Sequence, residues 1–318
     1  MRSLLDRRLL VITGKGGVGK STVAAALGLL ASQSGRSTLV VELGQEQRLP
    51  AIFGREAAAP GSPCPLGDGL ASLTLDPDRA LLEWLQALGG RVSGRLLASS
   101  GTFQYFAAAA PGAKELVTMV QLWRLAGGGA RRRGSERRYD LVVLDAPATG
   151  HALGLLGSPR TFGSIAGVGP IAAHARRVLE LLQSPERSGY LAVALATEMA
   201  VTEALKLDEG LRRALDRPLD AVVVNGLMPR RFSASELRAV SALEGVGASD
   251  AERAAVCSAI RAAAAAHARA RFQHAQLARL RRRSFAVAAL PFVWQPALGR
   301  ATLEALAARL GRGLRALR

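Results

Sequence analysis

The residues best equipped for chemistry stand near the amino end. Residues 14–22 read Gly14, Lys15, Gly16, Gly17, Val18, Gly19, Lys20, Ser21 and Thr22. Four residues separate Gly14 from Gly19 and a Lys-Ser pair follows, which is the spacing of a phosphate-binding loop. Glycines let successive backbone N–H groups turn inward on an anion without a Cβ clash. A helix that follows presents its positive end to the same anion. In that arrangement Lys20 meets the β- and γ-phosphates of ATP, and the Ser21 hydroxyl ligates Mg²⁺. A second magnesium candidate is Asp145, which closes the apolar run LVVL; a carboxylate at a strand end near such a loop holds the ion directly or through water. The competing readings are a glycine turn with no ligand and an ordinary Asp-Ala-Pro strand end.

These residues need a strand before the loop and a helix after it, and the flanking sequence supplies both. The run 8–13 (RLLVIT) reads as a buried strand, 21–32 as an Ala- and Leu-rich helix and 37–43 (STLVVEL) as a second strand. Strand, helix and strand within so short a stretch signal a parallel βαβ unit. Further apolar runs at 140–144, 191–196, 221–224 and 285–290 repeat the signal. None alternates with polar residues, so the sheet is expected to be covered on both faces. Helices are expected over 80–88, 113–125, 170–182 and 204–215. Ser233 with Glu236, and Ser249 with Glu252, have capping-box spacing, and the second helix reads on towards Arg283. The segments 57–69 and 127–138 read as loops, the latter basic. The fold class is therefore α/β, a doubly wound, mostly parallel sheet. One domain is expected over 1–318, with helical insertions near 78–127 and 160–188 and a helical segment near 233–283.

The 318 residues, 49% hydrophobic and 21% charged, exclude a wholly disordered chain. No apolar run reaches the ~20 residues needed to span a bilayer. No signal peptide is visible, and a cytoplasmic location is expected, with peripheral attachment at the inner membrane as a variant. Cys64 and Cys257 lie far apart and form no metal or redox spacing. The net charge is +17; of the 42 basic residues four are lysine and 38 arginine. Such a skew fits a GC-rich genome, and a field of that sign also attracts phosphate-bearing partners or anionic membrane.

Lys15 narrows the reading. The run Lys-Gly-Gly-Val-Gly-Lys-Ser resembles the deviant loop of dimeric P-loop ATPases: partition and septum-placing ATPases, nitrogenase iron proteins, and the ATPases of arsenite export and tail-anchored protein targeting. The segment 145–151, Asp-Ala-Pro-Ala-Thr-Gly-His, resembles the switch segment Asp-Thr-Ala-Pro-Thr-Gly-His of the last group, the ArsA/GET-type family. Ala110-Pro-Gly-Ala-Lys-Glu-Leu116 and Arg271-Phe-Gln-His-Ala-Gln-Leu277 are similar to helices of that family. The resemblance implies an ATP- and Mg²⁺-dependent ATPase of the SIMIBI-type P-loop fold, working as a homodimer or as a heterodimer with a paralogous ATPase. It implies that Lys15 reaches the partner's nucleotide. It further implies that Asn225, Pro291 and Phe292 contact the adenine.

The sequence also departs from that family. Its segment after strand two reads Asp-Pro-Ala-His-x-Leu-x-Asp-x-Phe, and the second Asp positions the attacking water. Here the stretch is 42–53, ELGQEQRLPAIF; aligning Leu49 and Phe53 puts Ala51 where that Asp belongs, and Glu46 has the wrong spacing. Loss of a water-orienting group costs positioning and electrostatic help, so slow hydrolysis is expected. Cys64 and Cys257 cannot build a three-thiol site for a soft metalloid within one chain, so metalloid export is disfavoured.

For partners, Phe103, Tyr105, Phe106, Met119 and Trp123, and Phe162, Ile165, Val168 and Ile171, could form an apolar groove for a hydrophobic protein client. Core packing is the favoured reading of most of them. The segment 301–318 is a basic amphipathic helix. It is expected to pack on the sheet up to Leu310, with a membrane surface as the alternative. His151 belongs to the switch, and His174, His267 and His274 lack metal-ligand spacing. Nucleic acid is disfavoured as a partner. The rival function is a positioning or partition ATPase acting on membrane or DNA.

Overall fold

The apolar runs of the sequence become the strands of a single sheet. The computed structural model describes residues 4–88, 112–128, 139–166, 168, 170–295 and 297–315. Its strands are β1 (Leu9–Thr13), β2 (Thr38–Leu43), β3 (Cys64–Gly67), β4 (Leu70–Leu75), β5 (Leu141–Asp145), β6 (Ser188–Leu195), β7 (Ala221–Leu227) and β8 (Ala286–Pro291). They lie in the order β3-β4-β2-β5-β1-β6-β7-β8. All neighbours run parallel except β3 and β4. Parallel pairing puts the carboxyl ends of β1, β2, β5, β6, β7 and β8 on one rim, and the glycine loop leaves from the most central of them.

The helices are α1 (Lys20–Gln33), α2 (Leu49–Ile52), α3 (Pro77–Leu88), α4 (Ala113–Leu125), α5 (Thr149–Ala166), α6 (Pro170–Gln183), α7 (Glu198–Leu215), α8 (Ala234–Ser241), α9 (Asp250–Arg281) and α10 (Arg300–Arg315). Successive side chains of a strand point to opposite faces, and β1 divides accordingly. Leu10 and Ile12 join Leu27 of α1 and Leu303, Leu306 and Leu310 of α10. Leu9 and Val11 join Trp123, Leu156, Leu181 and Leu207 from the helices of the other face. The α/β fold with helices on both faces is thus the one expected. Both capping boxes are present, with the Ser233 and Ser249 hydroxyls accepting from the Glu236 and Glu252 N–H groups.

Three readings of the sequence change. The expected loop over 57–69 contains β3, which forms a hairpin with β4 around Asp68 and Gly69, at φ 50° and 75°. An Asp-Gly pair is a strong hairpin signal, and here it lay inside a Pro- and Gly-rich run that masked it. The helical insertion expected from about residue 160 begins earlier, at Thr149, despite four glycines and Pro159. Burial of Ala152, Leu155 and Leu156 outweighs the poor local propensity. Packing of α10 extends past Leu310, because a Cβ at Gly313 would stand 3.2 Å from that of Ala288.

Phe103, Tyr105 and Phe106, Ala110 and Pro111, the loop residues 129–138, and Leu317 and Arg318 lie outside the described residues. Among the described residues no helix is long and apolar enough to cross a membrane. The rim opposite the glycine loop is fastened by a buried polar cluster. Arg7 Nη2 donates to Asp220 Oδ1 (2.6 Å), and the Tyr190 N–H donates to Asp220 Oδ2 (2.9 Å). The Tyr190 hydroxyl donates to Leu182 O, and Arg217 stands 3.6 Å from the same carboxylate.

Candidate functional site

β1 ends in Thr13, whose hydroxyl donates to Pro147 O at 2.9 Å and so ties the glycine loop to the segment after β5. The chain then turns through Gly14, Gly17 and Gly19, at φ 151°, 78° and 91°. Only glycine enters those regions without strain. At Gly14 the constraint is also steric, since a Cβ would lie 2.1 Å from Val193 O on β6. At Gly16 and Gly17 nothing lies within 4 Å of a Cβ position. The loop is therefore packed beneath and open above, a cradle whose free side can take an anion.

α1 starts at Lys20 with Gly19 as its N-cap, and no side chain caps it. Its first amides are left for a ligand, as an anion site at a helix start requires. Lys20 folds back along the loop, its Nζ donating to Lys15 O at 3.3 Å. Burial pushes the Lys20 ammonium below its ordinary value, the Asp145 carboxylate opposes this, and Arg48 adds to it. Thr22 follows in the first turn, half-buried. Val18 is buried, and its carbonyl accepts from Asn225 Nδ2 at 3.0 Å. Asn225, on β7, thus braces the loop from two strands away.

The metal candidates meet. The Ser21 hydroxyl donates to Asp145 Oδ2 at 2.5 Å. The other oxygen, Asp145 Oδ1, is buried without a hydrogen-bond partner. Burial pushes the Asp145 carboxyl up, while the Ser21 hydrogen bond and the charges of Lys20 and Arg48 hold it down. An orphaned carboxylate oxygen beside a hydroxyl is a hard donor set, suited to Mg²⁺. These residues fit the ion. The Thr149 hydroxyl, at the start of α5, is a further buried polar atom without a partner.

Two residues of this rim were not assigned a role from the sequence. Glu42, the partner of Asp145 in the β2–β5 register, is 5% exposed. Its two carboxylate oxygens accept from the Arg48 N–H (3.2 Å) and the Leu49 N–H (3.3 Å). Burial pushes its carboxyl up, and those two amide bonds oppose the shift. Glu42 thereby pins the start of α2, the short helix that carries Ala51. Arg48 is held by Glu46 through Nε (3.2 Å) and Nη2 (2.9 Å), and Arg48 acts electrostatically on both Lys20 and Asp145. Only an acidic residue at the end of an apolar strand hinted at the first; nothing in the sequence singled out the second.

The remaining candidates spread along the rim. Lys15 is exposed, and its ammonium rests against the Met199 sulfur at the start of α7. Pro291 ends β8, and the Phe292 N–H donates to Leu227 O at 3.0 Å. Phe292 packs edge-on against Trp294 (centroids 4.7 Å apart), over which Arg231 stands at 5.6 Å. Among the groove candidates, Met119 and Trp123 are core residues, Phe162 and Ile171 are packed against the core, and Ile165 and Val168 are 74% and 85% exposed.

Comparison with known proteins places the chain in a family. The family model for anion-transporting ATPases matches residues 7–168, which hold the glycine loop, Glu42 and Asp145. ATPase BagA of Mycobacterium tuberculosis is 30% identical over 270 residues, covering 79% of this chain and 74% of that one. A putative arsenical pump-driving ATPase of Halobacterium salinarum is 29% identical over 237 residues, covering 71% and 36%. The ATPase ASNA1 homolog 2 of Paramecium tetraurelia is 29% identical over 154 residues, covering 46% and 43%.

Proposed function

The chain belongs to the anion-transporting ATPase family, and we propose that it binds ATP with Mg²⁺ in the 14–22 cradle and hydrolyses it slowly. Nucleotide binding gates the docking of a second subunit and the handling of a hydrophobic protein segment. The observation that carries this reading is the buried, unpartnered Asp145 Oδ1 beside the Ser21 hydroxyl, at the foot of an open glycine turn.

The chain's own groups divide the work. The loop amides and the first turn of α1 bind the phosphates, and Lys20 neutralises the β- and γ-oxygens. Ser21 and Asp145 hold the magnesium ion, which when bound neutralises charge on the phosphates. Asn225 fixes the loop through Val18, and Pro291 and Phe292 offer an apolar edge to the adenine. Thr13 ties the loop to the segment that leads into α5 through Pro147 O, so a change at the γ-phosphate has a route to the helical layer. Lys15 has no carboxylate partner among the described residues, and it serves the nucleotide of the adjoining subunit.

Slow turnover follows from the α2 segment. Ala51 offers no carboxylate, Glu42 is engaged by two amides and Glu46 by Arg48. The positioning or partition alternative is not favoured, because the matching family is the anion-transporting one and the relatives bear arsenical-pump and ASNA1 names.

Calorimetry with a non-hydrolysable ATP analogue and Mg²⁺ tests the reading, with Lys20→Ala and Asp145→Asn as controls. Saturable heat is expected from the wild type and none from Lys20→Ala. Absence of binding by the wild type at millimolar analogue overturns it. Sedimentation with the same analogue, alone and with a paralogous chain, tests the assembly; Lys15→Ala is expected to bind nucleotide yet stay monomeric.

A further inference from the structure

The sheet ends at β8 among the described residues. Ala286 N–H donates inward to Asp220 O at 3.1 Å. In a parallel ladder that alternation turns the N–H and C=O groups of Val287 and Ala289 away from β7, towards the open edge. Both residues line a cleft of about 770 Å³ that runs between the ends of α9 and α10, with Phe285 in its floor. Its charged lining is Arg281, Arg309 and Arg312, all exposed, and no ion pair with a carboxylate is found for any of them among the described residues. Natural sheets usually protect such an edge. Here it combines an apolar floor, free backbone donors and acceptors, and unneutralised positive charge.

We propose that this edge takes an extended acidic peptide segment of a partner protein as a ninth strand. Main-chain pairing with Val287 and Ala289 supplies the adhesion, and the three guanidiniums select glutamate or aspartate on the incoming strand. The backbone pattern favours a peptide over a phosphate-bearing partner. A phosphodiester group, of a lipid or of a nucleic acid, only accepts hydrogen bonds, and would meet the edge carbonyls unfavourably. A peptide both donates and accepts. The cleft lies on the sheet edge, away from the cradle of β1, so its occupant does not compete for nucleotide.

The test is fluorescence polarisation with a labelled ten-residue peptide alternating glutamate and valine, added to the full chain at low and physiological salt. Saturable binding is expected, weakened at least about tenfold in an Arg281→Glu, Arg309→Glu, Arg312→Glu variant. The same peptide N-methylated at alternate residues is expected to lose at least about tenfold against the unaltered protein, because the pairing N–H groups are gone. The lysine analogue is expected not to bind. Equal binding of the N-methylated peptide overturns the proposal, as does unchanged affinity in the arginine variant. Capture of duplex DNA or phosphatidylglycerol vesicles in place of the peptide, abolished by the same charge reversals, overturns it too.

Discussion

If turnover is slow for the reason proposed, replacing Ala51 by aspartate should speed it. Ala51 is exposed in α2, so the added carboxylate displaces no core atom, and stability should move by no more than about 0.5 kcal/mol. The start of α2 is fixed by the two amide bonds to Glu42, which lies opposite Asp145 in the sheet register. A carboxylate in that helix is therefore delivered on an anchored frame. Positioned acid–base groups contribute about 10²–10⁴-fold. With Arg48 nearby to draw off part of the new charge, the low end applies. A gain of about 10²-fold in kcat corresponds to about 2.7 kcal/mol of barrier. The assay is phosphate release under saturating ATP and Mg²⁺, with Lys20→Ala added to the Ala51→Asp background to exclude a contaminating activity. Nucleotide affinity by calorimetry should stay within about threefold, since the change acts on the attacking water. Two results refute the reasoning: unaltered turnover in a variant that still binds ATP, or a wild-type kcat already within the usual enzyme range of about 1–10³ s⁻¹.

Gly14→Ala places a Cβ 2.1 Å from Val193 O at φ 151°; a loss of at least about 2 kcal/mol in urea unfolding is expected, together with loss of nucleotide binding. Asp220→Ala strips the partner from Arg7, from the Tyr190 N–H and from the buried Arg217, and should cost about 3–5 kcal/mol in the same assay. Burial first, then the charges of Arg124 and Arg177, hold the His174 pKa below its ordinary value, and its Nδ1 is buried without a partner. The folded chain thus favours the neutral ring. His174 takes nothing from stability above the unfolded pKa of about 6.5, and stability should fall as pH drops below it. His274 shifts in the same direction through burial and Arg230. Thermal midpoints between pH 7.5 and 5.5 should therefore decline, and His174→Gln should flatten the decline.

The parallel core was legible because its strands carry no alternation. Buried on both faces, they appear in the sequence as uninterrupted apolar runs, and β1, β2, β5, β6, β7 and β8 all sit within a few residues of the expected spans. The capped helices were legible because a serine hydroxyl and a glutamate three residues on are a local device. Two elements were not. The hairpin of β3 and β4 is built on one Asp-Gly pair at positive φ, and β3 has only four residues. α5 contains Gly150, Gly154, Gly157, Gly163 and Pro159, residues that locally oppose a helix. Its stability comes from contacts with Trp123, Leu181 and Leu207 in the same buried cluster, and those partners are distant in sequence.

The site shows the same division between what is local and what is assembled. Glycines, Lys20 and Ser21 are contiguous, so their spacing alone announces a phosphate cradle. Asp145 and Asn225 come from other strands, yet each stands at the end of an apolar run, where a parallel sheet gathers side chains on one rim. The state of the α2 segment is of another kind. From the sequence, Glu46 is an acid near a missing Asp, at the wrong spacing to replace it, and Glu42 carries no assigned role. In the fold, each oxygen of Glu42 accepts one amide, and a carboxylate only 5% exposed cannot give up those bonds without leaving charge unsatisfied. Glu46 is clamped by the fork of Arg48. That fork also brings a cation towards Lys20 and Asp145, where a γ-phosphate would add negative charge. On the proposed reading this favours binding electrostatically, while both acids of the segment are already engaged. On that reading, a segment built in this way would separate holding ATP from cleaving it.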